Sequence, residues 1–350
     1  MRVENRVKSR APFLIVLSCL LLPLDAQCVG VPNLHLKDLE ANSELIVIGE
    51  VTTIKTVGSA PPIDFRGQEL QADAYSAIMA VRRTVKGFAS GQIDIHYVLP
   101  LSFVGYRGLQ AGTRMVFLRR RQDHYVPVSA YYSDFPAVLS SPPTKDLPSN
   151  VGDYTANVLR EMLSVIASSS TSTEQKWEIL RIDYAFPNSK EVLDAFREGL
   201  ANTKEPNLRQ RLQGELVSMG DIIELPHVID LLLTNTATPD QRIWLLYVVE
   251  NRVKDSRAIP NLQPLLGSGD TRLREAAVEA LWHVADPAAL PDLAAALRDP
   301  DEQVRFYAVR ALSDIANEPG WGGPGESQFR DHEQEYLAHW QKWSSAQMQR

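Results

Sequence analysis

The stretch Asp255-Ser-Arg-Ala-Ile-Pro-Asn-Leu262 aligns with Asp286-Pro-Ala-Ala-Leu-Pro-Asp-Leu293, and the match continues down the chain. Asp270, Leu273, Arg274, Ala277, Val278, Ala280 and Leu281 align with Asp301, Val304, Arg305, Ala308, Val309, Ala311 and Leu312. A fixed period of about 31 residues marks a solenoid of stacked helical units, an architecture that usually serves binding.

Within one unit Leu273, Ala277, Ala280, Leu281 and Val284 share one face of an α-helix, and Val304, Ala308, Ala311, Leu312 and Ile315 repeat the stripe. A shorter apolar run precedes each: Ile259, Leu262, Leu265 and Leu266, then Leu290, Leu293, Ala296 and Leu297. Each unit therefore reads as helix, tight turn, helix. Neither helix buries its stripe alone, so the units must stack. Asp299 before Pro300 predicts an N-cap followed by proline at the first helical position, with Glu302 completing a capping box. Pro264 predicts a short or kinked helix. Asp270 and Arg274, like Asp301 and Arg305, stand four apart with the acid first, which predicts an ion pair within each helix.

The pattern Ala-x-Pro-x-Leu…Leu-x-Asp-x-Asp-x-x-Val-Arg-x-x-Ala-x-x-Ala-Leu, from Ala289 to Leu312, resembles the short HEAT repeats related to phycobilisome-lyase repeats. Weaker units precede it. One holds Leu231, Leu232 and Trp244 to Leu246, another Val192 to Leu216, and a degenerate first runs from Val158 to Ile182. About five helical pairs over 154–317 are expected. Past Pro319–Gly325, Tyr336, Leu337, Trp340 and Trp343 give an apolar face to a helix over 331–344, read as a cap on the open end.

Over 34–133 the periodicity changes to alternation. Leu45 to Lys55 is rich in β-branched residues, Tyr75 to Val81 and Ile93 to Leu99 alternate, and Met115–Leu118 and Tyr125–Val128 are short apolar runs. Five strands with a short helix before the first suggest a small antiparallel barrel. Ser-Glu-Leu-Ile-Val-Ile-Gly-Glu-Val (43–51), Val-Lys-Gly (85–87) and Leu-Gln-Ala-Gly-Thr-Arg-Met-Val-Phe-Leu (109–118) resemble the OB-like domain of tissue-inhibitor-of-metalloproteinase type found in bacterial exported proteins. The expected fold is thus two-domain, β plus α: an OB-like barrel, a Pro/Ser-rich linker at 136–153, and the HEAT-like solenoid. Ser168–Thr173 reads as a further flexible connection.

Arg2, Arg6, Lys8 and Arg10 precede an apolar run from Ala11 to Leu24 and the small residue Ala26. This describes a secretory signal peptide over 1–26 and an exported protein, periplasmic or extracellular. No other segment has the length and apolarity to span a bilayer. Cleavage leaves Cys28 as the sole cysteine, so no internal disulfide forms. In the inhibitor family a free N-terminal Cys chelates the target zinc; Cys28 takes that place only if cleavage follows Gln27.

The formal charge of −7 opposes nucleic-acid binding. His332-Glu333 lacks the second His of a zinc-protease helix, and neither an elbow nucleophile nor a phosphate-cradling Gly-rich loop is present. No enzyme, cofactor or metal is expected.

Positions that break the repeat are more informative. Glu275, Glu279, Trp282 and His283 become Phe306, Arg310, Ser313 and Asp314 one unit later, while Trp244, Tyr247 and Glu250 lie on an earlier second helix. Resemblance to HEAT solenoids implies that second helices line a concave side. The expected partner-binding set is therefore Trp244, Tyr247, Glu275, Glu279, Trp282, His283, Phe306 and Arg310, which is rich in the side chains that dominate interfaces. The leading expectation is a non-enzymatic scaffold for a protein partner. The alternative is a protease inhibitor or modulator acting through the barrel.

Overall fold

The computed structural model describes residues 36–65, 68–101, 108–129, 134–139, 154–180, 186–318 and 320–347. The expected signal peptide, Cys28 and most of the expected linker lie outside these residues.

A short helix, α1 (Leu36–Asn42), buries Leu36 and Leu39 and leads into six strands. These are β1 (Leu45–Phe65), β2 (Gln68–Lys86), β3 (Gln92–Pro100), β4 (Gly112–Arg121), β5 (His124–Pro127) and β6 (Asp134–Pro136). The sheet is mostly antiparallel. β1 pairs with β2 along its length and with β4 over Leu45–Val51. β2 pairs with β3, and β4 with both β5 and β6. β3 and β5 meet in parallel at Ile95 and Tyr125.

Two differences from the sequence reading have physical causes. β6 has three residues, too few to show alternation, and it takes in Pro136, where the linker was expected to begin. β1 and β2 outrun their apolar pattern because β1 has only β2 as a described partner past Val51, and that outer arm is largely exposed. Gly49 sits at a register shift where β1 presses on β2; a Cβ there would lie 2.2 Å from the carbonyl oxygen of Ala80.

Ten helices form five consecutive pairs: α2 (Tyr154–Ala167) with α3 (Thr173–Leu180), α4 (Lys190–Ala201) with α5 (Pro206–Ser218), α6 (Leu225–Thr234) with α7 (Pro239–Arg252), α8 (Ile259–Leu266) with α9 (Thr271–Val284), and α10 (Leu290–Ala296) with α11 (Glu302–Ala316). Second helices stack on second helices, α5 on α7 on α9 on α11, as a solenoid requires. α8 holds Pro264 and is eight residues long. The turn over Ser168–Ser172 is hydrogen-bonded rather than loose: Thr171 Oγ1 donates to the Val165 carbonyl at 2.7 Å, and Ser172 and Gln175 exchange bonds as a capping box. After the last pair, α12 (Glu326–Gln347) begins before the expected 331, bends at His332, and packs on α10 and α11 with Phe329, Tyr336 and Trp340 buried.

The capping and pairing expectations are corrected. The N-cap of α11 is Asp301, whose carboxylate accepts from the N–H of Gln303 and Val304. Asp299 is instead held by Arg274. The equivalent arginines do not pair within their own helices. Arg242 reaches Asp270 at 2.6 Å, Arg274 reaches Asp299 and Arg305 reaches Glu333 of α12, each crossing to the following unit. These three, and Arg209 one unit earlier, donate to carbonyls at the end of the preceding first helix: Arg209 to Leu200, Arg242 to Leu232, Arg274 to Ser268 and Arg305 to Asp299. In each of the last three units one arginine thus satisfies a helix C-terminus and cross-links the stack.

Ion pairs also join the sheet to the first helical pair. Arg114 on β4 donates Nε to Asp134 on β6 and Nη2 to Glu178 on α3, both at 2.7 Å and nearly out of solvent. Arg83 on β2 pairs with Glu161 on α2.

Candidate partner-binding face

The second-helix layer divides the expected residues into three groups. The first lies between α9 and α11. Trp282 donates its indole N–H to Asp314 at 2.8 Å, and the guanidinium of Arg310 lies over its ring, 4.7 Å from the centroid. Stacking on a cation and tethering at Nε1 fix a half-exposed indole in one orientation. Phe306 is different. It is buried against Phe329 of α12 and Tyr307, so it fills the gap between the last repeat and α12 and is no surface contact.

The second group is charged. Glu275 pairs with Arg272 at 2.7 Å, and Arg272 also pairs with the buried Glu250 of α7. Tyr307 of α11 lies beside Glu279. Burial pushes the Glu250 carboxyl up to about 7; Arg272 opposes the shift, and Glu279 and Glu275 add to it. Burial, with Glu279 beside it, drives the Tyr307 hydroxyl up to about 12. His283 is exposed and donates from Nδ1 to the Glu250 carbonyl, which fastens α9 to the end of α7.

The third group stands apart. Trp244 lies flat on α5: a Cβ at Gly214 would be 2.2 Å from its ring, and Arg211 covers it with its guanidinium 4.1 Å from the centroid. It is an inter-repeat wedge with one edge on a cleft that Trp177 and Gln241 also line. Tyr247 receives a long bond from Arg252 at 3.5 Å and is half-buried.

The structure therefore brings Trp282 and Arg310 together, and Glu275 and Glu279 beside Glu250. Tyr247 shares α7 with Trp244 and touches neither of the other groups through the bonds above. Sequence reasoning passed over Arg211, Arg272 and Tyr307, since a lone Arg or Tyr on a helix carries no local signal of the ring or carboxylate it meets across a repeat. Among the described residues, no group of three or more His, Cys, Asp or Glu side chains is arranged to hold a metal ion, and no helix is long and apolar enough to cross a membrane.

Residues 259–320 match the family model for HEAT repeats. This span takes in the units α8–α9 and α10–α11, where the internal repeat is clearest. None of the curated proteins matches the chain.

Proposed function

We propose that this protein is an exported, non-enzymatic scaffold that binds a protein partner through the second-helix face of its HEAT repeats. The observation that carries the reading is the stack of Arg310 on Trp282 with Asp314 on the indole N–H. An aromatic ring already fixed in orientation loses little entropy when a partner covers it, and Trp and Arg are the commonest binding hot spots. Glu275 and Glu279 flank this stack on the same helix. Export rests on the basic, apolar and small-residue succession over 1–26. The strand pairings favour an OB-like barrel for the N-terminal module, since the order β1-β2-β3-β5-β4 returns to β1 through the β1–β4 ladder.

The test is capture of partners by the full chain from the exported fraction, followed by affinity measurements on variants. Trp282→Ala is expected to weaken the captured complex by about 2 kcal/mol, roughly thirtyfold, with the helical repeats still folded by circular dichroism. Arg310→Ala is expected to act in the same direction. Wild-type affinity in both variants overturns the reading.

A further inference from the structure

A cleft of about 390 Å³ opens where β3 and β5 diverge. Its cause lies in the backbone. Leu101 donates its N–H to the Gln71 carbonyl at 2.8 Å, and bonded positions alternate along an antiparallel ladder. Leu99 and Tyr97 therefore turn their backbone groups toward β2, while Val98 and His96 turn theirs away. By the same alternation, the Val128 N–H bonded to Phe117 sets Val126 toward β4 and Pro127 toward β3. Continuing the parallel ladder past Ile95 and Tyr125 requires an N–H at residue 127, and proline has none. The two strands part there, and Val98 is left with N–H and C=O facing the cleft and no described strand on that edge.

We propose that this cleft takes a short extended peptide as an added strand on β3, with an apolar side chain in the cavity and a basic residue beside it. An open edge that presents both a donor and an acceptor is complementary to an extended backbone. The walls suit an apolar side chain: Tyr75 and Tyr97 stack at 5.3 Å, and Leu99 and Val126 stand beside them. The mouth favours a cation. His96 and His124 line it, stack at 4.4 Å and are each paired with a carboxylate, Asp94 and Asp123, while Arg121 is the cross-strand neighbour of His124. The site is on the sheet and does not rest on the helical face.

The test uses the full chain and a positional-scanning library of biotinylated seven-residue peptides. Enrichment is expected for an apolar residue with Lys or Arg next to it. N-methylation of the amide that pairs with Val98 is expected to weaken the selected peptide at least tenfold. Val98→Pro removes the donor on the protein side and is expected to do the same; its N–H faces away from β2, so that pairing is retained. Val126→Trp fills the cavity without touching the backbone bonds and serves as the second variant. Equal retention of the library by Val126→Trp and wild type overturns the proposal. So does full affinity of the N-methylated peptide, which would reduce the cleft to a side-chain pocket, and so does selection of acidic peptides.

Discussion

Arg274 places Nε and Nη2 on the two carboxylate oxygens of Asp299, at 2.7 and 3.0 Å, across the boundary between two repeats. Its remaining nitrogen, Nη1, donates to the carbonyl of Ser268 at the end of α8. Burial works against the Asp299 charge, yet the bonds from Arg274 and from the Asp301 N–H hold its carboxyl below the ordinary range. The pair is bidentate and nearly buried, the geometry in which an ion pair is hardest to replace piecemeal.

Removing one partner should leave the other buried and uncompensated. Arg274→Ala is expected to destabilise by about 3 kcal/mol. Asp299→Ala should act in the same sense. The double-mutant cycle in urea should show a coupling above about 1 kcal/mol, because the pair shares two bonds. Simple additivity would show that the pairing contributes nothing beyond each residue's own contacts.

Gly214 and Trp244 make a second inter-repeat contact with a sharp test. A methyl group on Gly214 would lie 2.2 Å from the indole, so Gly214→Ala must displace the ring or separate α5 from α7. Alanine favours a helix interior by about 1 kcal/mol over glycine. The steric loss should exceed that gain and leave a net destabilisation of about 1–3 kcal/mol. In the Trp244→Ala background the loss should shrink to what Leu245 Cδ2, 2.8 Å from the added methyl, still imposes. Thermal melts of the four proteins decide it.

Much of the architecture was legible because the repeat states it directly. The stripes of Leu273 to Val284 and Val304 to Ile315 fall on α9 and α11, and the weaker units upstream are helical pairs as well. What the sequence could not show was partnership between units. Asp270 and Arg274 have ideal spacing for a pair within one helix, but a neighbouring unit offers Arg274 a bidentate carboxylate and offers Asp270 the guanidinium of Arg242. The N-cap of α11 moved from Asp299 to Asp301 for the same reason, since Asp299 is engaged by Arg274. Phe306 shows the converse limit. Its position breaks the repeat and reads as part of a partner-binding face, but α12 covers it.

Glu250 should make stability depend on pH in a defined window. Its carboxyl is raised to about 7 in the folded chain, against 4.5 for an ordinary glutamate, so the folded state holds a proton that the unfolded state gives up. Its contribution is therefore fully present below about pH 4.5 and is lost as pH rises through about 7, by ~1.4 kcal/mol for each pH unit crossed between those limits. Glu250→Gln removes the titration. Denaturant melts from pH 5 to 8 should show a flatter profile for the variant, with its relative advantage greatest at pH 8. Parallel profiles would mean that Arg272 keeps Glu250 ionised throughout.

Arg114 should couple the sheet to the helices. It is 5 % exposed and bridges Asp134 to Glu178, and burial, which disfavours its charge, is outweighed by those carboxylates. Arg114→Met keeps much of the side-chain length and removes the charge that bridges the buried Asp134 to Glu178. A loss of about 3–5 kcal/mol is expected, as for a broken buried pair. Wild type should unfold in one transition by both far-UV circular dichroism and near-UV absorbance, and the variant in two. Two transitions already present in wild type would show that the ion pairs do not enforce joint unfolding.

Trp340 anchors α12, and its two halves should behave differently under substitution. The ring is fully buried against the last repeat and packs edge-on with His339 and Trp343, while its indole N–H has no hydrogen-bond partner among the described residues. Trp340→Phe removes the unpartnered donor along with some apolar area, so the two effects oppose and a change within about 1 kcal/mol is expected. Trp340→Ala leaves a large cavity between α12 and the end of the stack, with an expected loss of about 3–5 kcal/mol. Loss of packing here should also expose the stripe of Val304, Ala308 and Leu312, and a solenoid with an open end tends to self-associate. Sedimentation of the Ala variant should therefore show concentration-dependent oligomers that the Phe variant lacks. A monomeric Ala variant with wild-type melting would show that α12 is not needed to close the repeats.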